Sequence, residues 1–142
     1  MAASAYTVYT QCALGTMLAQ VNWSSTTLKV ALLTGSYTPA VNTDSLWSGI
    51  SANETTGTAY TAGGCSVSSA GVSASGSSVN AVGTIAGWAA ATVAARYAVL
   101  YDSSTGKLLA YSDLTGGAGG TVSSTNGSFS LGSYTVTVTH TP

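Results

Sequence analysis

Residues 94–114 decide the fold class: Ala94-Ala95-Arg96-Tyr97-Ala98-Val99-Leu100-Tyr101, then Asp102-Ser103-Ser104-Thr105-Gly106-Lys107, then Leu108-Leu109-Ala110-Tyr111-Ser112-Asp113-Leu114. Two runs of apolar and aromatic residues flank a segment of turn formers, and Gly106 supplies a position that accepts positive φ. The pattern predicts a β-hairpin, with one strand over 94–101 and a return over 108–114. Arg96 and Asp113 then fall across the pair from each other. A structural ion pair is expected there, weak if exposed to solvent.

Working outward, similar short runs recur. Thr27–Leu33 reads as a strand with Leu28, Val30 and Leu32 on one face. Residues 59–72 alternate only weakly, 73–78 (Ser-Ala-Ser-Gly-Ser-Ser) read as a flexible turn, and Val79–Ile85 is a further strand with Trp88 anchoring the turn beyond it. Gly116–Gly120 is a glycine-rich loop without the strand–loop–helix context or the Lys of a phosphate cradle. Phe129 and Leu131 alternate, and Tyr134–Thr139 is a period-two strand of β-branched residues. Tyr6, Tyr9, Ala13, Met17 and Val21 recur at helical spacing, widened by Leu14 and Leu18, so residues 4–21 form the one helical candidate, with Ser4 as its cap. A long irregular stretch runs over 35–58. Its bulky groups imply that it packs down or docks on a partner. The class is mainly β: an antiparallel β-sandwich or jelly-roll-like single domain over 1–142, with a short helix in the 1–22 segment.

The 142 residues suit one domain that buries a sizeable core. Charged residues make up only 5% of the chain, and Lys and Arg together number 3. Nucleic-acid binding is therefore not expected, because displacing counterions from phosphates takes several cations. The most apolar stretch, Val79–Leu100, contains Asn80, Thr84, Thr92 and Arg96 and fails as a membrane span. The first 20 residues hold no Lys or Arg, so no secretory signal is read. No charge falls between Glu54 and Arg96. That half must be solvated by Ser and Thr hydroxyls or covered by another subunit.

The chemistry-bearing inventory is equally thin. His140 is the sole His and sits third from the end of the sequence, a poor place for a triad base. The four acids are scattered, which argues against a metal site or a paired-carboxylate hydrolase. Cys12 and Cys65 form no C-x-x-C motif. They read as two small buried hydrophobes, with a single disulfide and a reactive thiol as the alternatives. No enzyme, no cofactor and no metal are expected.

Three blocks carry a resemblance. The first is Lys29-Val30-Ala31-Leu32-Leu33-Thr34 with Ser36-Tyr37-Thr38-Pro39. The second is Trp47, Ser51-Ala52-Asn53-Glu54, Gly57-Thr58 and Tyr60-Thr61-Ala62-Gly63-Gly64. The third is Trp88 with Ala95-Arg96-Tyr97-Ala98-Val99-Leu100-Tyr101. In that order the chain resembles a family of small structural head and tail proteins of tailed bacteriophages. The resemblance covers roughly residues 5–115. It implies a virion component made in the host cytoplasm, and a capsid decoration (cement) protein on the capsid exterior is the expected role. The implied partners are the major capsid protein and further copies of the chain, as a dimer or trimer, because a nearly Lys-free β protein must bury its sheet edges.

Tyr37, Pro39, Trp47 and Trp23 are the candidate interface anchors, being bulky groups in or beside the 35–58 loop. For Trp23 and Trp47 the competing reading is core packing. Glu54 either hydrogen-bonds within the loop or pairs with a capsid Arg. A tail-tube, terminator or tip subunit is the alternative role, and a glycan-binding sandwich using Tyr97, Tyr101 and Tyr111 is another.

Overall fold

A computed structural model describes residues 3–139. In chain order it contains β1 (Thr7–Val8), α1 (Thr10–Met17), β2 (Leu28–Leu33), α2 (Trp47–Ile50) followed by a 3₁₀ turn (Ser51–Asn53), β3 (Cys65–Ser75), β4 (Ser78–Ile85), β5 (Trp88–Ala95), β6 (Tyr97–Asp102), β7 (Leu108–Asp113), β8 (Val122–Phe129) and β9 (Ser133–Thr139). The protein is mainly β and antiparallel, as expected.

The core is built around β2 and β6. Their runs LKVALL and YAVLYD hold few polar groups, and every position of β6 is buried. Strands covered on both faces read as continuous apolar runs rather than as alternation. The two pair in register from Leu28↔Asp102 to Leu33↔Tyr97. β7 joins β6 through the hairpin read from sequence, and Gly106 takes a φ of 75° in its turn. β1 caps that side with two residues, Thr7↔Tyr111 and Val8↔Ala110. On the other side β3, β4 and β9 add in succession, giving the order β1-β7-β6-β2-β3-β4-β9. The sheet curls until its ends approach. The ring of Tyr6, just before β1, meets that of Tyr134 in β9 edge-on at 6.0 Å. The result is a nearly closed barrel. β5 and β8 form a separate two-stranded sheet whose Trp88 and Phe129 turn into the same core.

Several boundaries differ from the sequence reading. The 94–101 run is two strands in two sheets, because the chain bends at Arg96. There the Arg96 amide donates to the Leu33 carbonyl, and its own carbonyl accepts from Leu114. The ion pair remains, with Arg96 Nη2 3.3 Å from Asp113 Oδ2. The helix occupies 10–17 rather than 4–21. Ser4 does not cap it; its backbone amide and carbonyl instead bond Asp113 and Ser112. Residues 73–75 continue β3, and the turn proper is Gly76-Ser77. β8 was not foreseen, because only its last residue belonged to the alternation read there. The 35–58 loop packs down, carrying α2 and bridging Leu33, Lys107 and Thr92. Both cysteines are free. His140 lies outside the described residues.

Candidate functional site

The inner face of β3, β4 and β9 begins as core and ends as surface. Cross-strand partners share a face, so Ile85, Gly83, Ala81 and Val79 of β4 lie on one side with Tyr134, Val136 and Val138 of β9. On β3 the same side is held by Val67, opposite Ile85, and by Val72, opposite Ala81. An odd spacing of five would send these two valines to opposite faces. A bulge between Ser68 and Gly71, with Ser69 at φ 53°, resets the phase.

At the near end this face is sealed. Gly83 leaves room for the Tyr134 ring: a Cβ there would lie 2.6 Å from both Tyr134 and Val67. Val67, Ile85 and Tyr134 are all buried. At the far end the same face runs out from under its cover. Val72 is 51% exposed, Val79 44% and Val138 66%.

A groove of about 580 Å³ lies between that bare face and the other wall, formed by Val8, Ala13, Thr16, Met17, Val21 and Trp23. Met17, at the end of α1, is 89% exposed. Trp23 is held upright by its indole N–H donating to Thr16 Oγ1 at 3.0 Å, while Thr16 donates to the Cys12 carbonyl at 2.9 Å. The runs of β3, β4 and β9 contain no charged residue. Among the described residues β9 pairs only with β4, which leaves its other edge without a strand partner.

The sequence-derived candidates do not assemble into one site. Tyr37 is only 4% exposed, and its hydroxyl donates to Asp44 Oδ2 at 2.6 Å and meets the Tyr9 hydroxyl at 2.8 Å. This removes it from the surface set. Glu54 accepts from the Tyr60 hydroxyl at 2.7 Å and from the Gly63 amide at 2.6 Å, which is the loop-holding role rather than an outward charge. Trp47 is half-buried and stacks on Tyr101 with ring centroids 4.7 Å apart. Pro39 is half-buried beside Tyr97 and Tyr111. Only Trp23 lines the groove. Tyr97 and Tyr101 are buried, so they offer no platform for a sugar.

The polar groups are likewise spent internally. Burial raises the Asp102 carboxyl, but hydrogen bonds from Thr27 and Ser104 outweigh it and hold the group below its ordinary range. Asp113 behaves the same way, with Thr115 and Arg96 as the donors. Burial pushes the Cys12 thiol up to about 11, so it is no ready nucleophile. Among the described residues no group of three or more His, Cys, Asp or Glu side chains could hold a metal ion. No helix there is long and apolar enough to cross a membrane.

Sequence reasoning missed the groove. The one signal is the charge-free stretch from Glu54 to Arg96, which calls for hydroxyl solvation or a covering subunit; Met17 reads from sequence only as a member of the helical stripe. No protein-family model, curated protein or solved structure matches the chain.

Proposed function

We propose that the chain is a non-catalytic structural protein of a tailed-bacteriophage virion that binds the outside of the major capsid lattice and stabilises the expanded head. The observation that carries a docking role is the uncharged groove, floored by a sheet face of core composition that has lost its cover. Soluble proteins rarely leave contiguous apolar surface without a use, and such surface marks protein–protein contact. Its residues are Val, Ala, Met and Trp rather than convergent polar groups, which suits a protein surface better than a small substrate. The virion assignment rests on the three sequence blocks resembling phage head and tail proteins, and the head is chosen within it because a small, β-rich, nearly uncharged body without a catalytic inventory suits decoration. Holding capsomers together is a mechanical task, and it requires contact area and a rigid body. The near-continuous burial of β2 and β6 supplies the rigidity.

Copy number and position in purified virions, measured by cryo-electron microscopy with quantitative mass analysis, test this reading. Hundreds of copies spread over the shell are expected. A ring or tip at the tail would transfer the protein to the tail-subunit role. Absence from the particle would overturn the virion reading.

A further inference from the structure

A second cleft, of about 230 Å³, lies on the side of α1 away from the groove. Cys12, Gly15 and Leu108 are its buried members, and Leu14 and Leu46 stand exposed at its rim. Unlike the groove, it also holds a charge, that of Lys107. We infer that this cleft receives an acidic side chain with aliphatic neighbours, presented by the same protein that covers the groove. The inference rests on the proposed docking to the capsid lattice and names the chemistry that the partner offers there.

Local structure assembles the cleft. Gly15 lets the chain fold back after α1, because a Cβ there would lie 2.8 Å from Val21. Ala19, at φ 58°, reverses the direction, and Gln20 is brought across to Lys107, whose ammonium donates to Gln20 Oε1 at 3.0 Å. The backbone on either side of Lys107 is tied to the 35–58 loop. The Leu108 amide donates to the Ser45 carbonyl at 3.0 Å, and the Trp47 amide to the Gly106 carbonyl at 2.7 Å.

The distribution of charge identifies the missing group. All four acids of the chain are engaged within the fold. Asp113 pairs with Arg96, and Asp102 accepts from Thr27 and Ser104. Asp44 accepts from Tyr37 and the Ala40 amide, and Glu54 from Tyr60 and the Gly63 amide. Among the described residues the Arg96–Asp113 pair is the one salt bridge, so Lys107 has no carboxylate of its own. An ammonium carries three donors, and Gln20 takes one. The rest stand beside apolar walls, where a charge is screened less than on open surface. A carboxylate satisfies those donors, and aliphatic neighbours fill the space between Leu14 and Leu46.

Continuity with the groove identifies the source. Ala13, Thr16 and Met17 of α1 line the groove, while Gln11, Leu14 and Gly15 line the cleft. The two are separated only by the body of one helix, about 10–12 Å across. A protein seated over Met17 therefore crosses α1 and reaches Leu14 and Lys107. Lys29, the other lysine of the chain, lines neither cleft nor groove and serves as a control.

Binding of the full chain to expanded heads, purified from the encoding phage assembled without this protein, tests the inference. Wild-type affinity is expected to fall as salt is raised. Lys107→Gln is expected to weaken binding by about tenfold and to remove most of the salt dependence, and Lys107→Glu to weaken it further. Leu46→Ser should weaken binding while its salt dependence remains. Lys29→Gln should change neither, and near-ultraviolet circular dichroism should be unchanged throughout. Binding that ignores salt and both Lys107 variants overturns the inference and leaves the docking reading standing. Equal losses for Lys107→Gln and Lys29→Gln mean diffuse attraction rather than a placed contact, and also overturn it. If wild type does not bind heads at all, the docking reading fails and the inference falls with it.

Discussion

The two ends of the β3–β4–β9 sheet are made of similar residues and end in opposite environments. At one end Val67, Ile85 and Tyr134 are buried; at the other Val72, Val79 and Val138 stand in solvent on the same face. The strands do not change character between them, but the cover does. The near end is closed by Tyr6, by the Gly83 opening that admits the Tyr134 ring, and by the main core. The far end extends past β1, which is two residues long, and past α1, which stops at Met17. Hydrophobicity in a strand therefore reports that a face needs covering, and the rest of the chain decides whether the monomer covers it.

The largest effect expected from breaking this contrast is Tyr134→Ala. It removes a fully buried ring and leaves Tyr6 without its edge-on partner, at a cost of about 3–5 kcal/mol in denaturant unfolding. Val138→Ala, four residues along the same face, should cost under about 0.5 kcal/mol in the monomer. Similar costs for the two would mean that the far end is packed within the monomer and that the groove is not an open surface.

Next in size is Gly83→Ala. The added Cβ would meet Tyr134 and Val67 at 2.6 Å, closer than carbon atoms tolerate. Overpacking of this kind costs about 1–3 kcal/mol. Combining it with Tyr134→Ala should give a smaller total loss than the sum of the two single changes, since the ring that clashes is gone. Additive losses would show that Gly83 serves some purpose other than admitting Tyr134.

The near end also answers to pH, in the opposite sense from the aspartates of β6 and β7. Burial pushes the hydroxyls of Tyr6 and Tyr134 up to about 12 from 10.0. A raised folded pKa means that their contribution is fully present below about pH 10 and is lost as pH rises toward 12. Asp102 and Asp113 are lowered instead, so their contribution is present above the ordinary carboxylate range and is lost as pH falls through their depressed values. The melting temperature should therefore stay level from about pH 5 to 9 and fall on both sides. Tyr134→Phe should remove only part of the alkaline limb, because burial raises Tyr9, Tyr37 and Tyr60 as well; an unchanged limb would locate the titration in those tyrosines.

How much of this was legible in the sequence depends on how local the cause was. The β6–β7 hairpin, the Arg96–Asp113 pair and the mainly-β class depend on neighbours in the chain, and their signals were local too. The weak alternation in 59–72 has a definite origin in the Ser69 bulge, which shifts the phase between Val67 and Val72 and defeats a period-two reading. The bend at Arg96 was hidden because an apolar run looks the same whether it serves one sheet or two. Tyr37 reads as an interface group because it sits in a long loop, and for Glu54 the same loop leaves open a hydrogen bond within it or a capsid Arg; the structure shows the former. Of their partners only Tyr9 is distant in sequence; Asp44, Tyr60 and Gly63 are near neighbours, but a loop without periodicity does not say which of its side chains turn inward. The groove was legible only as an absence of charge, and absence does not say which end of a strand will be left uncovered.

The smallest expected effect is the most informative about that groove. Val72→Ser and Val138→Ser exchange exposed isopropyl groups for hydroxyls that water solvates equally well in the folded and unfolded chain. Each should change the monomer's unfolding free energy by less than about 0.5 kcal/mol, because little apolar area is removed from water at either position. Val67→Ser makes the same chemical change at the sealed end, where it both loses buried methyl groups and buries a hydroxyl, and should cost about 2–3 kcal/mol. Measured at a concentration where the chain is monomeric, the three variants separate burial from composition at fixed chemistry. Measured again where a docking partner occupies the groove, the first two should acquire a cost they lacked. A penalty that appears only with association cannot arise from the monomer's own core, so its emergence would locate the missing cover on the second molecule.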